Sequence, residues 1–239
     1  MNTKSYEECK QLLEKLDANT LERRTERCQE LEGIQTDGRL FSVQKEWDYA
    51  GEASDNYIAG SYRSSIFCCA CAVDQVFRYE YMKLPESNYK NIKGMTSGRV
   101  IRECKERNVG SLRPYMQLAF LSNDIRNNVA THPLFIDIPT ESDPDRQLRD
   151  RLLIEDITNL LELVGRVNSD IRYEVESTKL ISEVEGRTYI LGEVINHQSD
   201  MPFNLNGFWG LIENKVLRFL ANQCWNIMKA ILEGLYGVK

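Results

Sequence analysis

Apolar positions recur along most of this chain every third and fourth residue, the spacing of one face of an α-helix. The strongest run is 55–84. Ile58, Tyr62, Ile66, Cys69, Val73, Val76 and Glu80 fall on one helical face there, and Phe67, Ala70, Phe77 and Tyr81 widen it. Ser54 and Asp55 offer N-caps, and Pro85 ends the run. Upstream, residues 5–16 predict a short helix, with Ser5 and Glu8 at capping-box spacing. Thr20 to Glu30 predicts a second, highly charged helix. Gly33 to Gly51 reads as loop, with a short extended piece at Leu40–Val43.

Downstream, Asn88 to Gly94 reads as loop. Thr96 or Ser97 caps a helix running to about Asn108. Val109-Gly110 breaks it, and Ser111 caps the next helix, with Pro114 tolerated in the first turn. Met116, Leu118, Ala119, Leu121, Ile125 and Val129 make that helix amphipathic. Pro133 disfavours α geometry at His132, so the helix is expected to end near Thr131. A polar linker follows at 133–146, then a helix from Leu148 to Val167. Arg187 to Ile195 suits a strand or a helix, and Gly186 and Gly192 weaken both readings. Leu205 to Tyr236 predicts a long helix.

The pattern predicts an all-α fold of about six to eight helices. Residues 1–50 form an N-terminal helical extension. Residues 51–239 form one helical domain, with its core at 55–135 and a helical remainder at 145–239. No internal repeat is visible.

Composition narrows the reading. The 239 residues are 42% hydrophobic and 28% charged, with 6 Pro and 14 Gly, which suits a packed helical core rather than a loop-rich β fold. The net charge is −6, unlike a general nucleic-acid binder. Segment 99–126 runs against that balance: Arg99, Arg102, Lys105, Arg107, Arg113 and Arg126 outnumber Glu103, Glu106 and Asp124. Met1 to Glu30 lacks the apolar stretch of a secretory leader, and no apolar run is long enough to span a bilayer. With seven Cys read as reduced thiols, a soluble cytoplasmic protein is expected, with no membrane association.

The candidate chemistry lies at Ser122–His132. Arg126 could grip a phosphate with its planar fork. His132, one of two His in the chain, could move a proton near neutral pH. Asn127 or Asn128 could orient either partner. Residues six apart on an ideal helix lie about 240° apart around the axis, so the pair works together only if the helix ends at the His. One His serves poorly as both acid and base, and two copies facing each other in a dimer would supply both.

Segment 55–135 resembles a HEPN domain, the helical fold of many prokaryotic defence and toxin–antitoxin proteins. That family's signature is an Arg, four to six residues, then a His, often with a polar residue after the Arg. Arg126, Asn127 and His132 match it, and the helix from Tyr62 to Glu80 resembles the family's first core helix. The resemblance implies a helical bundle that dimerises and cleaves RNA without a metal or other cofactor, leaving 2′,3′-cyclic phosphate and 5′-hydroxyl ends. It implies Arg126 and His132 as catalytic residues with Asn127 positioning them, and Asn128 at the substrate. An acidic residue on the first core helix is also implied, with Asp74 and Glu80 both candidates. RNA, a second copy of the chain and an antitoxin or other regulatory protein are the implied partners. A non-catalytic HEPN-like interaction or nucleotide-binding module is the alternative.

Plainer readings apply elsewhere. Arg126 could simply pair with Asp124. Cys68, Cys69 and Cys71 have no nearby His to complete a zinc set and read as buried packing. His197 reads as a surface-loop residue, and the apolar positions around Trp209 and Trp225 as core or interface. Gly94 to Gly98 lacks the Lys and the preceding strand of a phosphate-binding loop.

Overall fold

The computed structural model describes residues 6–31, 33, 44–85, 87–131, 158–159, 161–166, 179–181, 188–190, 192 and 206–237. The fold is all-α. Helices α1 (Tyr6–Glu30), α2 (Gln44–Ala59), α3 (Tyr62–Met82), α4 (Tyr89–Lys93) and α5 (Ser97–Glu106) are followed by a 3-10 turn (Gly110–Tyr115) and α6 (Met116–Thr131). A two-stranded hairpin, β1 (Lys179–Ile181) and β2 (Thr188–Ile190), and the long helix α7 (Asn206–Tyr236) complete the described elements. The hairpin is antiparallel, with Leu180 opposite Tyr189, so the ambiguous segment after Gly186 takes the strand option at 188–190. No helix among the described residues is long and apolar enough to cross a membrane.

Helix α3 is the centre. It packs against α2, α5, α6 and α7, and Ile66, Cys69, Ala72, Val76 and Phe77 on it are fully buried. Leu220, Cys224, Met228 and Ile231 of α7 meet this core, as do Ile125 and Val129 of α6. Leu161, Leu163 and Val164 are also buried, within the region expected to be helical at 148–167.

Three expectations need correction. The 55–84 run is two helices, because Gly60 takes a left-handed conformation at φ 84°. Gly60 N–H bonds to Tyr57 O at 2.9 Å and Ser61 N–H to Asn56 O at 2.8 Å, the paired bonds of a glycine helix stop. Helix α2 accordingly takes over 44–51, read from sequence as loop, and it spans positions 50 and 51, where extension and domain were expected to meet. Second, 5–16 and 20–30 are parts of one helix, since Asp17, Ala18 and Asn19 between them include no Gly or Pro to stop it. Third, Asn88 starts a one-turn helix, its Oδ1 accepting from Lys90 N–H at 2.9 Å.

A polar knot fastens α1 to the bundle. Glu30 at the end of α1 accepts from Arg218 of α7 and from the Tyr57 hydroxyl of α2. Burial alone would raise the Glu30 pKa, but the bonds from Arg218 and Tyr57 outweigh it and hold the carboxyl below its ordinary 4.5. Burial and the Glu30 bond push the Tyr57 hydroxyl well above its usual value. Beside this knot the Arg27 guanidinium lies where a Cβ on Gly60 would be.

Two outcomes follow. Gly60→Ala forces an L side chain into the left-handed region and against Arg27, and should cost about 2 kcal/mol in urea unfolding; a loss near zero would contradict this turn. A carboxyl with a depressed folded pKa stabilises fully above its unfolded value and loses that contribution as pH falls through the folded one. Wild type should therefore lose more melting temperature between pH 7 and the acid range below 4.5 than Glu30→Gln does.

Candidate functional site

The middle of α6 carries Asn123, Arg126 and Asn127. Residues three apart on a helix are neighbours, so Asn123 and Arg126 meet directly. Arg126 Nη2 donates to Asn123 Oδ1 at 3.0 Å and to Asn127 Oδ1 at 2.8 Å. Its Nε also donates to Asn127 Oδ1, at 3.3 Å. Its Nη1 donates to Ser97 Oγ at 2.8 Å, across to the first residue of α5. Three neutral oxygens thus fix a half-buried guanidinium, and one Nη1 hydrogen is uncommitted among the described residues.

No described carboxylate forms an ion pair with Arg126. Asp124, the plain alternative, instead lies 3.6 Å from Arg166. Among the described residues the cation is therefore oriented by neutral groups and has no acid partner. Close approach of α5 and α6 makes this possible: a Cβ on Gly98 would stand 3.4 Å from Asn123 Nδ2, so the glycine lets the start of α5 sit against the amide.

The position of α5 is set from α3. Asp74, 9% exposed, accepts from Arg78 Nε at 2.6 Å. The other arms of Arg78 donate to Ile92 O at 2.6 Å and Met95 O at 2.7 Å, bolting the turn before α5 to the central helix. Asp74 Oδ1 is buried with no hydrogen-bond partner among the described residues. The half-buried Cys71 thiol lies within electrostatic reach of both Asp74 and Arg126. Burial raises its pKa first, Asp74 adds to this, and Arg126 opposes it.

Glu80 sits elsewhere. It accepts from Lys83 Nζ at 2.5 Å, from Ser111 Oγ at 2.9 Å and from Tyr236 Oη at 3.1 Å. It ties the 3-10 turn and α7 to the far end of α3. Of the two acidic candidates, Asp74 is the one whose partners lead toward Arg126. Ser111, expected as a helix cap, spends its hydroxyl on Glu80.

Asn128 donates its amide to Asp124 O, one turn back, at 2.8 Å. Helix α6 is α-helical as far as Thr131, the last described residue of this segment; the placement of His132 lies outside the described residues, as does that of His197. Arg63 at the start of α3 donates to Val129 O at 2.7 Å, a cation at the negative end of the α6 dipole.

The packing expectation holds for Cys69 alone among the crowded cysteines: it is buried, while Cys68 and Cys71 are half-exposed. Cys68 lies 3.7 Å from Glu52 and 3.8 Å from Asn56; burial and the Glu52 charge push its pKa up to about 11. Such thiols are poor nucleophiles at neutral pH. Among the described residues, no three His, Cys, Asp or Glu side chains group as metal ligands.

Sequence reading missed Ser97, Asn123 and Arg78. Asn123 was detectable, three residues before Arg126. Ser97 and Arg78 act across helices and leave no local signal. Comparison of the chain with protein-family models, curated proteins and solved structures gives no match in any of the three.

Removing Asp74 would leave the largely buried Arg78 guanidinium without its counter-charge. Asp74→Ala should lower unfolding free energy by about 3 kcal/mol, read by urea titration. A change within about 0.5 kcal/mol, the range of ordinary surface substitutions, would show that the pair does not hold the α4–α5 turn.

Proposed function

We propose that the chain is a metal-independent endoribonuclease of the HEPN type, working as a homodimer in a toxin–antitoxin or antiviral defence setting. The observation that carries this reading is the Arg126 guanidinium: held by Ser97, Asn123 and Asn127, charged, and unpaired with any described carboxylate. An arginine kept only for structure is most simply neutralised by an acid. One oriented by neutral oxygens keeps its charge for an anion. His132 is six residues on in sequence, and this reading requires the helix to end before it.

The chemistry runs as an in-line displacement. His132 takes the proton from a ribose 2′-hydroxyl. The 2′-oxygen attacks the adjacent phosphorus, and the bond from phosphorus to the 5′-oxygen breaks. The imidazolium from the second subunit returns a proton to that 5′-oxygen. Arg126 bears on the equatorial oxygens, where negative charge grows in the transition state. Asn127 keeps the guanidinium in plane. Asp74 is the acidic residue of this scheme, positioning the start of α5 through Arg78, and Asn128 borders the bound strand.

The deciding experiment is RNA cleavage in EDTA with end-group analysis. Wild type should yield 2′,3′-cyclic phosphate ends. Arg126→Ala should be slower by about a hundredfold or more, His132→Ala inactive, and Asn127→Ala intermediate. Equal activity in all variants would remove this site. RNA binding without cleavage by wild type would favour the non-catalytic nucleotide-binding module.

A further inference from the structure

The charge of this protein is unevenly distributed. Residues 87–131 hold eight Lys and Arg against three Asp and Glu, in a chain whose net charge is −6. The fold gathers part of that excess along one seam. Helices α5 and α6 lie side by side and antiparallel. Ser97 meets Arg126, Gly98 meets Asn123, and Lys105 Nζ lies 6.0 Å from the Phe120 ring. From Ser97 to Lys105 the seam is about 12 Å long at the α-helical rise.

Its α5 side presents Arg102 and Lys105, both exposed, and neither forms a salt bridge among the described residues. Among the described residues, Arg102 Nε bonds to its own helix, at Gly98 O, 3.2 Å away. Its α6 side presents the exposed amide of Gln117, the half-buried Phe120 ring and the amide of Asn123. Two acids belong to α5. Glu103 turns toward α3, where it pairs with Arg107, itself stacked on the Tyr81 ring. Glu106 is exposed one turn beyond Arg102.

Cations, amides and one accessible aromatic ring in a row are the equipment for a single strand. The cations follow phosphates, the ring stacks a base, and the amides bond to base edges. A duplex groove-reader would need a projecting element, which this seam lacks. We propose that the α5–α6 seam is the track on which single-stranded RNA lies, with Arg126 at its end. The inference rests on the ribonuclease reading only for what happens at that end; the track itself is a binding claim.

The test separates the two. His132→Ala protein is titrated into short fluorescein-labelled single-stranded RNA, and anisotropy is followed over a range of salt. Arg102→Gln with Lys105→Gln in the same background should bind about tenfold more weakly, with a salt slope shallower by about 1.4, the value for two lost contacts to a single strand. Lys90→Gln with Lys93→Gln removes the same charge from α4, outside the seam, and should retain affinity. Unchanged affinity and slope in the seam variant overturns the track. So does an equal loss in the α4 control, or no binding in the parent protein. Displacement of RNA by polyglutamate at matched charge also overturns it, marking the seam as a dock for an acidic protein. Binding that depends on Arg102 and Lys105 in a protein that never cleaves RNA leaves the track standing without the nuclease. Cleavage unaffected by their loss does the reverse.

Discussion

A carboxylate on the buried central helix must be compensated, and the way Asp74 is compensated positions the candidate site. Burying an unpaired charge costs several kcal/mol, so Asp74 draws Arg78 to it on the same helix. A guanidinium has a fork of donors in one plane. With its Nε spent on Asp74, Arg78 turns the two remaining arms to the carbonyls of Ile92 and Met95. Those carbonyls end α4 and lead into α5. The start of α5 is thereby fixed against the middle of α3, and Ser97 is fixed with it. Arg126 takes its orientation from Ser97 and from two amides on its own helix. A chain of bonds therefore runs from the core to the half-buried cation, each step set by the previous one.

Glu80 applies the same rule at the other end of α3. It is six residues from Asp74, about 240° around the helix, so the two acids address different neighbours. Asp74 addresses the α4–α5 turn; Glu80 addresses the 3-10 turn and α7 through Ser111 and Tyr236. Packing alone would let α5 and α7 slide on an apolar helix surface. Two buried acids with directional partners fix their register, a role that hydrophobic contact, being non-directional, performs less well.

Legibility in the sequence followed this division between local and long-range causes. Helices α3, α5, α6 and α7 were readable because their apolar spacing is set by burial of one face. The break at Gly60 was missed because the same periodicity continues through it, from Ile58 to Tyr62, and only the backbone reverses. The charged α1 was split in two because few apolar positions beyond Leu16 carry its period forward. At the site, Arg126 and Asn127 were visible as neighbours in sequence, and Asp74 as one of two acids on one helix. The choice between Asp74 and Glu80 depended on residues 92, 95, 111 and 236, none within reach of a local pattern. Ser97 was legible as a helix start, and its bond to Arg126 was not.

The overall acidity of the chain is a weaker guide to its partners than the first inspection of composition suggests. At physiological salt, exposed charges act over a Debye length of roughly 8 Å. A phosphate on the α5–α6 seam would feel Arg102, Lys105 and Arg126 strongly and charges on remote helices weakly. Outside 87–131 the acids predominate, and at longer range they would repel a polyanion from other approaches. The same distribution that lowers the isoelectric point would then favour one orientation of encounter. Net charge describes how the protein behaves in bulk; the placement of Ser97 and Gly98 against α6, which brings a cationic helix beside an oriented arginine, decides what the seam can hold.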